Sequence, residues 1–254
     1  MRAPSVALIA LLVTASGAVQ AAPRRRHFEP DDLELEQPGI LDFDVQAGPV
    51  LGNSYMGDHL LIPDFEIALG LTRNVEIDVM GSLTIYRQNG KRGITGDSLW
   101  LASKLGLFDT RDGHGNAWAL GLELGPRLPT FDAVGIGYGA LGLLGFKHRG
   151  LSLVLNTGSF LDPGASLAEK GPHSLLLGLD VNAELDPRAL WSLQSELAFA
   201  HYLGPDPDEL TFSFGATYAV SPHLDLSVTA LAGFFPQTDH FALLVGASPQ
   251  VGLW

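Results

Sequence analysis

Histidines and carboxylates are the residues of this chain whose types could do chemistry. The eight histidines are His27, His59, His114, His148, His173, His201, His223 and His240. No two of them stand at the i, i+2 or i, i+4 spacing that places two imidazoles on one metal. Asp58-His59 and Asp239-His240 are adjacent acid–imidazole pairs with a weak capacity for a cation. A serine hydrolase needs a hydroxyl within hydrogen-bond reach of an imidazole. His201 shares a register with Phe199 and Ser195, but Ser195 is six residues away on the same segment, too far for contact. The glycine-rich GIGYGALG (Gly135 to Gly142) lacks the strand–turn–helix context and the following acid of a nucleotide loop. DTRDGHGN (Asp109 to Asn116) lacks the terminal Glu of a calcium loop and reads as a polar turn. With no cysteine there is no thiolate chemistry, no disulfide and no lipidated N-terminus. The expectation is a protein that is not an enzyme, with no cofactor and no metal site.

The carboxylates are different, because they fall into a pattern. HSLLLGLDVNAELD (His173 to Asp186) separates into Leu175, Leu177, Leu179, Val181, Ala183 and Leu185 on one register, and Asp180, Asn182, Glu184 and Asp186 on the other. A period of two is a β-strand with one oily and one polar face. VEIDVMGSLTIY, LTFSFGATYAV and LDLSVTALAGFF repeat it. Candidate strands run over 40–50, 60–71, 75–86, 97–108, 117–128, 135–147, 150–160, 173–186, 190–203, 210–220, 224–235 and 241–254. Each is longer than the roughly five to six residues of an ordinary globular strand and suits a tilted membrane crossing. Short connections alternate with long ones such as 51–59, 87–96 and 161–172, which is the habit of outer-membrane barrels.

The polar register collects Asp42, Asp44, Asp64, Glu66, Glu76, Asp78, Glu123, Asp180, Glu184, Glu196 and Asp225, with Asn182 among the neutral residues and only Lys104, Arg127 and Lys147 as bases. Unpaired charges are too costly to bury dry, and three bases cannot pair eleven acids. The polar face therefore needs water, and the oily face becomes the outer one. Fourteen of these residues, all but Lys147, are the expected lining of a barrel lumen. Glu123, Arg127, Lys104 and Lys147 are also the candidates for a network that closes it.

Composition agrees with this. Hydrophobic residues make up 46 % of 254 positions and charged residues only 17 %, below the ~25 % usual in soluble domains. A net charge of −13 argues against nucleic acid as a partner. Arg2, the short apolar run Val6 to Val13 and Val19-Gln20-Ala21 form a secretory signal with cleavage expected after Ala21. No segment has the ~18 consecutive apolar residues of a membrane helix, so a membrane-spanning chain of this kind must close as a barrel. The expected organisation is a signal peptide at 1–21, a polar periplasmic arm at 22–39, and a transmembrane antiparallel β-barrel of about twelve strands at 40–254. Aromatic residues near strand ends, among them Tyr55, Tyr86, Trp100, Trp118, Phe131, Phe160, Trp191 and Trp254, are expected to form interfacial girdles.

ELEQPGILDFDVQAG, LIPDFEIALGLTRNVEID and DSLWLASKLGLF resemble the outer-membrane β-barrel transporters grouped with the meta-pathway of phenol degradation. The likeness spans most of residues 33–254 and lies in the acidic arm, the first strand and the hairpin around Pro63 to Asp78. It implies passage of small, often hydrophobic molecules across the outer membrane of a Gram-negative cell. The resulting expectation is a porin-like narrow channel with an acidic lumen. Its expected partners are outer-membrane lipid, small solutes and the barrel-assembly machinery, which reads C-terminal aromatics such as Trp254. Its alternatives are a plugged or structural barrel, an outer-membrane hydrolase, and a soluble periplasmic β-sandwich binding protein.

Overall fold

The structure is a computed structural model that describes residues 35–52, 57–88, 91–96, 98–111, 116–130, 135–161, 173–186, 188, 190–203, 208–236 and 238–254. The expected signal peptide and most of the expected arm lie outside them. The described residues form strands β1 (Ile40–Leu51), β2 (His59–Thr72), β3 (Val75–Gln88), β4 (Lys91–Gly96), β5 (Leu99–Arg111), β6 (Asn116–Leu128), β7 (Gly137–His148), β8 (Leu151–Leu161), β9 (His173–Glu184), β10 (Trp191–Tyr202), β11 (Glu209–Ser221), β12 (Leu224–Gly233) and β13 (Phe241–Gly252).

Every strand pairs antiparallel with its neighbour, and β1 pairs with β13 from Ile40↔Gly252 to Leu51↔Phe241. The ladder thereby returns on itself as a closed barrel of twelve staves. Closure leaves no sheet edge, so backbone donors and acceptors are satisfied without water, which lipid demands. All twelve expected strands are present. The thirteenth, β4, corrects the reading of 87–96 as a loop. Arg87 pairs with Arg92, so β3 continues into a hairpin beyond the wall before β5 takes over its lower half. The turn expected at Asp109 to Asn116 is also shorter, because β5 runs to Arg111 and β6 starts at Asn116.

The register settles which face is oily outside. On β9, Leu175, Leu177 and Leu179 are 44 %, 50 % and 43 % exposed, whereas Ser174 and Asn182 are buried. Phe212, Phe214, Leu226, Val228, Leu243 and Val245 continue the outward belt around the ring. A soluble sandwich would bury these leucines and wet the acids; here the order is reversed. The chain is an outer-membrane β-barrel, its exterior apolar and its interior polar.

The two ends differ. One carries Leu35 and Trp254, the two ends of the described residues, and tight turns such as Arg149-Gly150, where φ is +47° and +82°. Positive φ at both central residues gives a turn whose twist matches the flanking strands. At the β9–β10 turn of the same end, the Asp186 carboxylate accepts backbone N–H bonds from Trp191 and Arg188, each 2.9 Å. The Trp191 N–H, first, holds the Asp186 carboxyl below its ordinary value. The opposite end, with the long connections, is called here the long-loop end.

Candidate functional site

Strand alternation aims one residue in two at the lumen, and all fourteen expected lining residues lie in that inward register. They do not form one cluster. Cross-strand pairing sets Glu76 beside Lys104 and Lys104 beside Glu123, a continuous row over β3, β5 and β6. Lys104 Nζ is 3.7 Å from Glu76 Oε1. Asp78 sits one inward step above Glu76, and Asp78 and Glu123 are both 0 % exposed. Here the wall is shut off from bulk water.

Elsewhere the bases diverge. Lys147 Nζ lies 3.6 Å from Glu184 Oε1, and both side chains are partly exposed. Arg127 Nε donates to Ser98 Oγ at 2.7 Å, with the guanidinium 4.8 Å above the Phe160 ring. Lys104 of the expected closing network stands between two acids in one row. On β13 and β1 Ser248 Oγ donates to Asp44 Oδ1 at 2.8 Å, and on β8 and β9 Asn156 Nδ2 donates to Asp180 Oδ2 at 2.8 Å. Asp44 and Glu66 are direct cross-strand partners, as are Glu196 and Asp180. Like charges so placed repel each other.

Sequence reasoning missed two features of the lumen. The first is an apolar band. Trp100, Ala102, Leu141, Leu143 and Phe160 are buried together inside the wall, with Met80 and Leu176 against them. The Trp100 and Phe160 rings meet edge to face at 4.7 Å, and Trp100 Nε1 donates to the Gly125 carbonyl. Val50, Ala242 and Leu244 form a second cluster on strands across the ring. Trp100 and Phe160 are thus lumen residues, at 4 % and 7 % exposure, and not the girdle aromatics expected. Trp118 and Trp191, at 50 % and 49 %, do face outward, and Trp254, past the end of β13, is 72 % exposed. Tyr55 and Phe131 lie outside the described residues. The unclear register of 135–147 was the available signal: a strand with Leu141 and Leu143 inside and Leu144 outside is oily on both faces.

The second feature is the end of the arm. Leu35 to Gly39 does not lead away from the barrel. The Glu36 backbone N–H donates to a Glu76 carboxylate oxygen, and Gln250 Nε2 donates to both Glu36 carboxylate oxygens at 3.3 Å. Gly39 N–H bonds the Gly70 carbonyl at 2.8 Å. Gly70 faces inward and leaves room for this passage, since a Cβ there would stand 2.3 Å from the Gln37 carbonyl oxygen. The segment lies in the terminal mouth of the lumen.

The rim histidines also differ from expectation. His59 Nε2 is 3.5 Å from Asp239 Oδ2, so the imidazole of one acid–imidazole pair meets the carboxylate of the other. His201 Nδ1 is 2.8 Å from Asp208 Oδ1 and has no contact with Ser195. Among the described residues no group of three or more His, Asp or Glu is placed to hold a metal.

No protein-family profile and no curated protein matches the chain. Among solved structures it is similar to the translocator domain of the autotransporter NalP from Neisseria meningitidis (14 % identity, 85 % of this chain and 90 % of that one, TM-score 0.44). It is also similar to the Salmonella typhi outer membrane phospholipase dimer with bound calcium (12 %, 88 % and 94 %, TM-score 0.48). A third likeness is to the CymD monoaromatic hydrocarbon channel (13 %, 85 % and 89 %, TM-score 0.41). These proteins differ in activity, and identities this low speak to architecture alone.

Proposed function

We propose that the barrel is a narrow, porin-like passage for small solutes that favours cations over anions. One observation carries this reading: eleven carboxylates and three bases share the inward register of the described strands. A low-dielectric wall focuses the field of such a surplus into the lumen, attracting cations and repelling anions. The apolar band above the acids supplies contact for a solute with an apolar body, which suits the solute class implied by the family resemblance. Lipid contacts the outward leucine belt, and the exposed terminal Trp254 supports recognition by the barrel-assembly machinery.

A second reading rests on the Glu76–Lys104–Glu123 row. Complete burial of Asp78 and Glu123, with Glu36 in the mouth, describes a lumen closed by its own side chains. Conductance separates the two. Refolded protein in planar bilayers under a potassium chloride gradient is expected to show small steps whose reversal potential has the sign of cation preference. Anion preference contradicts the passage, and a tight barrel that never conducts supports the plugged reading.

A further inference from the structure

The outer face of the barrel carries a serine–imidazole pair that the lumen does not use. Ser159 Oγ lies 2.5 Å from His173 Nε2. The Tyr138 hydroxyl is 3.0 Å from the same nitrogen and 3.4 Å from Ser159 Oγ. Three consecutive strands bring them together. Leu161 on β8 pairs directly with Tyr138 on β7 and with His173 on β9, and Ser159 is one outward step below it. The inward residues of β8 are the even-numbered ones, so Ser159 belongs to the lipid-facing register, next to Leu175. Tyr138 is 41 % exposed. His173 is the first residue of β9 and Ser159 lies near the end of β8, which sets the group at the long-loop rim.

We infer that Ser159 and His173 form a nucleophile–base pair that hydrolyses carboxylic esters of long-chain amphiphiles lying against the barrel wall. A serine hydroxyl is a weak nucleophile until a neighbouring imidazole takes its proton. Ser159 Oγ adds to the ester carbonyl carbon as its proton passes to His173 Nε2. The carbon–oxygen bond to the alcohol breaks, and the departing oxygen takes that proton. Water then adds to the acyl carbon and gives a proton to Nε2. The acyl–Oγ bond breaks, the acid leaves, and the proton returns to Ser159. Tyr138 offers the hydroxyl donor beside Oγ that the tetrahedral oxyanion requires. The activity is separate from the passage through the lumen and runs against the expectation, drawn from the sequence, of a protein that is not an enzyme.

The test uses the refolded full barrel, its folding verified by a band that shifts on boiling. A fluorophosphonate probe with peptide mapping reads the nucleophile, and release of fatty acid reads turnover. The substrates are a micellar long-chain nitrophenyl ester and phosphatidylethanolamine vesicles. The expected result is labelling at Ser159 that depends on His173. Turnover is expected to fall about 10³-fold or more in Ser159→Ala and in His173→Phe, and about 10²-fold in Tyr138→Phe. Ser195→Ala, on the same outward face of β10, is expected to match the parent. Fatty acid from the vesicles assigns the ester to bilayer lipid, whereas turnover of the micellar ester alone assigns it to free amphiphiles. Equal hydrolysis by the parent and Ser159→Ala, or no labelling of Ser159 above that of Ser195, overturns the inference.

Discussion

Lys104 Nζ stands 3.7 Å from Glu76 Oε1 inside the barrel wall, with the two side chains 3 % and 2 % exposed. Glu123 faces Lys104 from the other side. Removing the cation leaves two buried carboxylates one strand apart on either side of it. Breaking a buried ion pair in this way typically costs about 3–5 kcal/mol. Lys104→Met is therefore expected to unfold at clearly lower urea concentration than the parent. Lys147→Met, at the exposed pair with Glu184, is expected to change stability by about 0–1 kcal/mol. Urea titration of the boil-sensitive band in detergent measures both.

The segment in the terminal mouth makes a second prediction. Any side chain at Gly70 must displace the Glu36 and Gln37 carbonyls, which stand 2.4 and 2.3 Å from the position of its Cβ. Gly70→Leu is expected to expel the segment and raise single-channel conductance, leaving the barrel heat-modifiable. Unchanged conductance in a folded variant would show that the segment does not restrict the lumen.

The outward face should tolerate charge according to depth. Leu179 is the seventh of twelve residues of β9, and Leu185 lies just past its terminal end. An arginine on the lipid face costs about 2–4 kcal/mol at mid-membrane and about 0–1 near the interface. Leu179→Arg is expected to lose that larger amount of folding stability in vesicles and Leu185→Arg almost none. Equal effects at the two positions would contradict the assigned membrane face.

The Asp186 turn has a pH signature. Its carboxyl is held below the ordinary value by the Trp191 N–H first and then by the Arg188 and Leu190 backbone. A lowered folded-state value means that the stabilisation is fully present above the ordinary carboxylate range. It fades as pH falls through the lowered value. Amide protection at Trp191 and Arg188, measured relative to the intrinsic exchange rate at each pH, is expected to fall in acid, and to be low already at neutral pH in Asp186→Ala. Protection indifferent to pH would show that the carboxylate does not hold the turn.

The strand count and the wet face were legible in the sequence because one periodicity encodes both. Leu175, Leu177 and Leu179 against Asp180 and Asn182 show the two faces, and the length of the strands favours the membrane barrel over a sandwich, which would wet the acids as well. What stayed hidden depends on contacts between strands. Trp100 and Phe160 sit near strand ends like girdle aromatics, and only the pairing of β5 through β8 shows that they share the lumen. Ser159 and His173 are fourteen residues apart, separated by a connection whose length hides that they meet. A search along one strand finds Ser195 and His201, which do not touch. The inward turn of Glu36 was equally invisible, since a polar arm looks the same whether it leaves the barrel or enters it.

The central claim is a wetted acidic lumen behind an oily wall, and the absence of native cysteine makes it directly measurable. Single cysteines at Leu177, Leu179, Asp180 and Glu184 in vesicle-reconstituted protein would be exposed to equal concentrations of a cationic and an anionic thiosulfonate. The account predicts that Asp180→Cys and Glu184→Cys react, at least tenfold faster with the cation, while Leu177→Cys and Leu179→Cys stay protected by lipid. Reactive leucine positions with silent lumen positions, or a faster anionic reagent in the lumen, would contradict it.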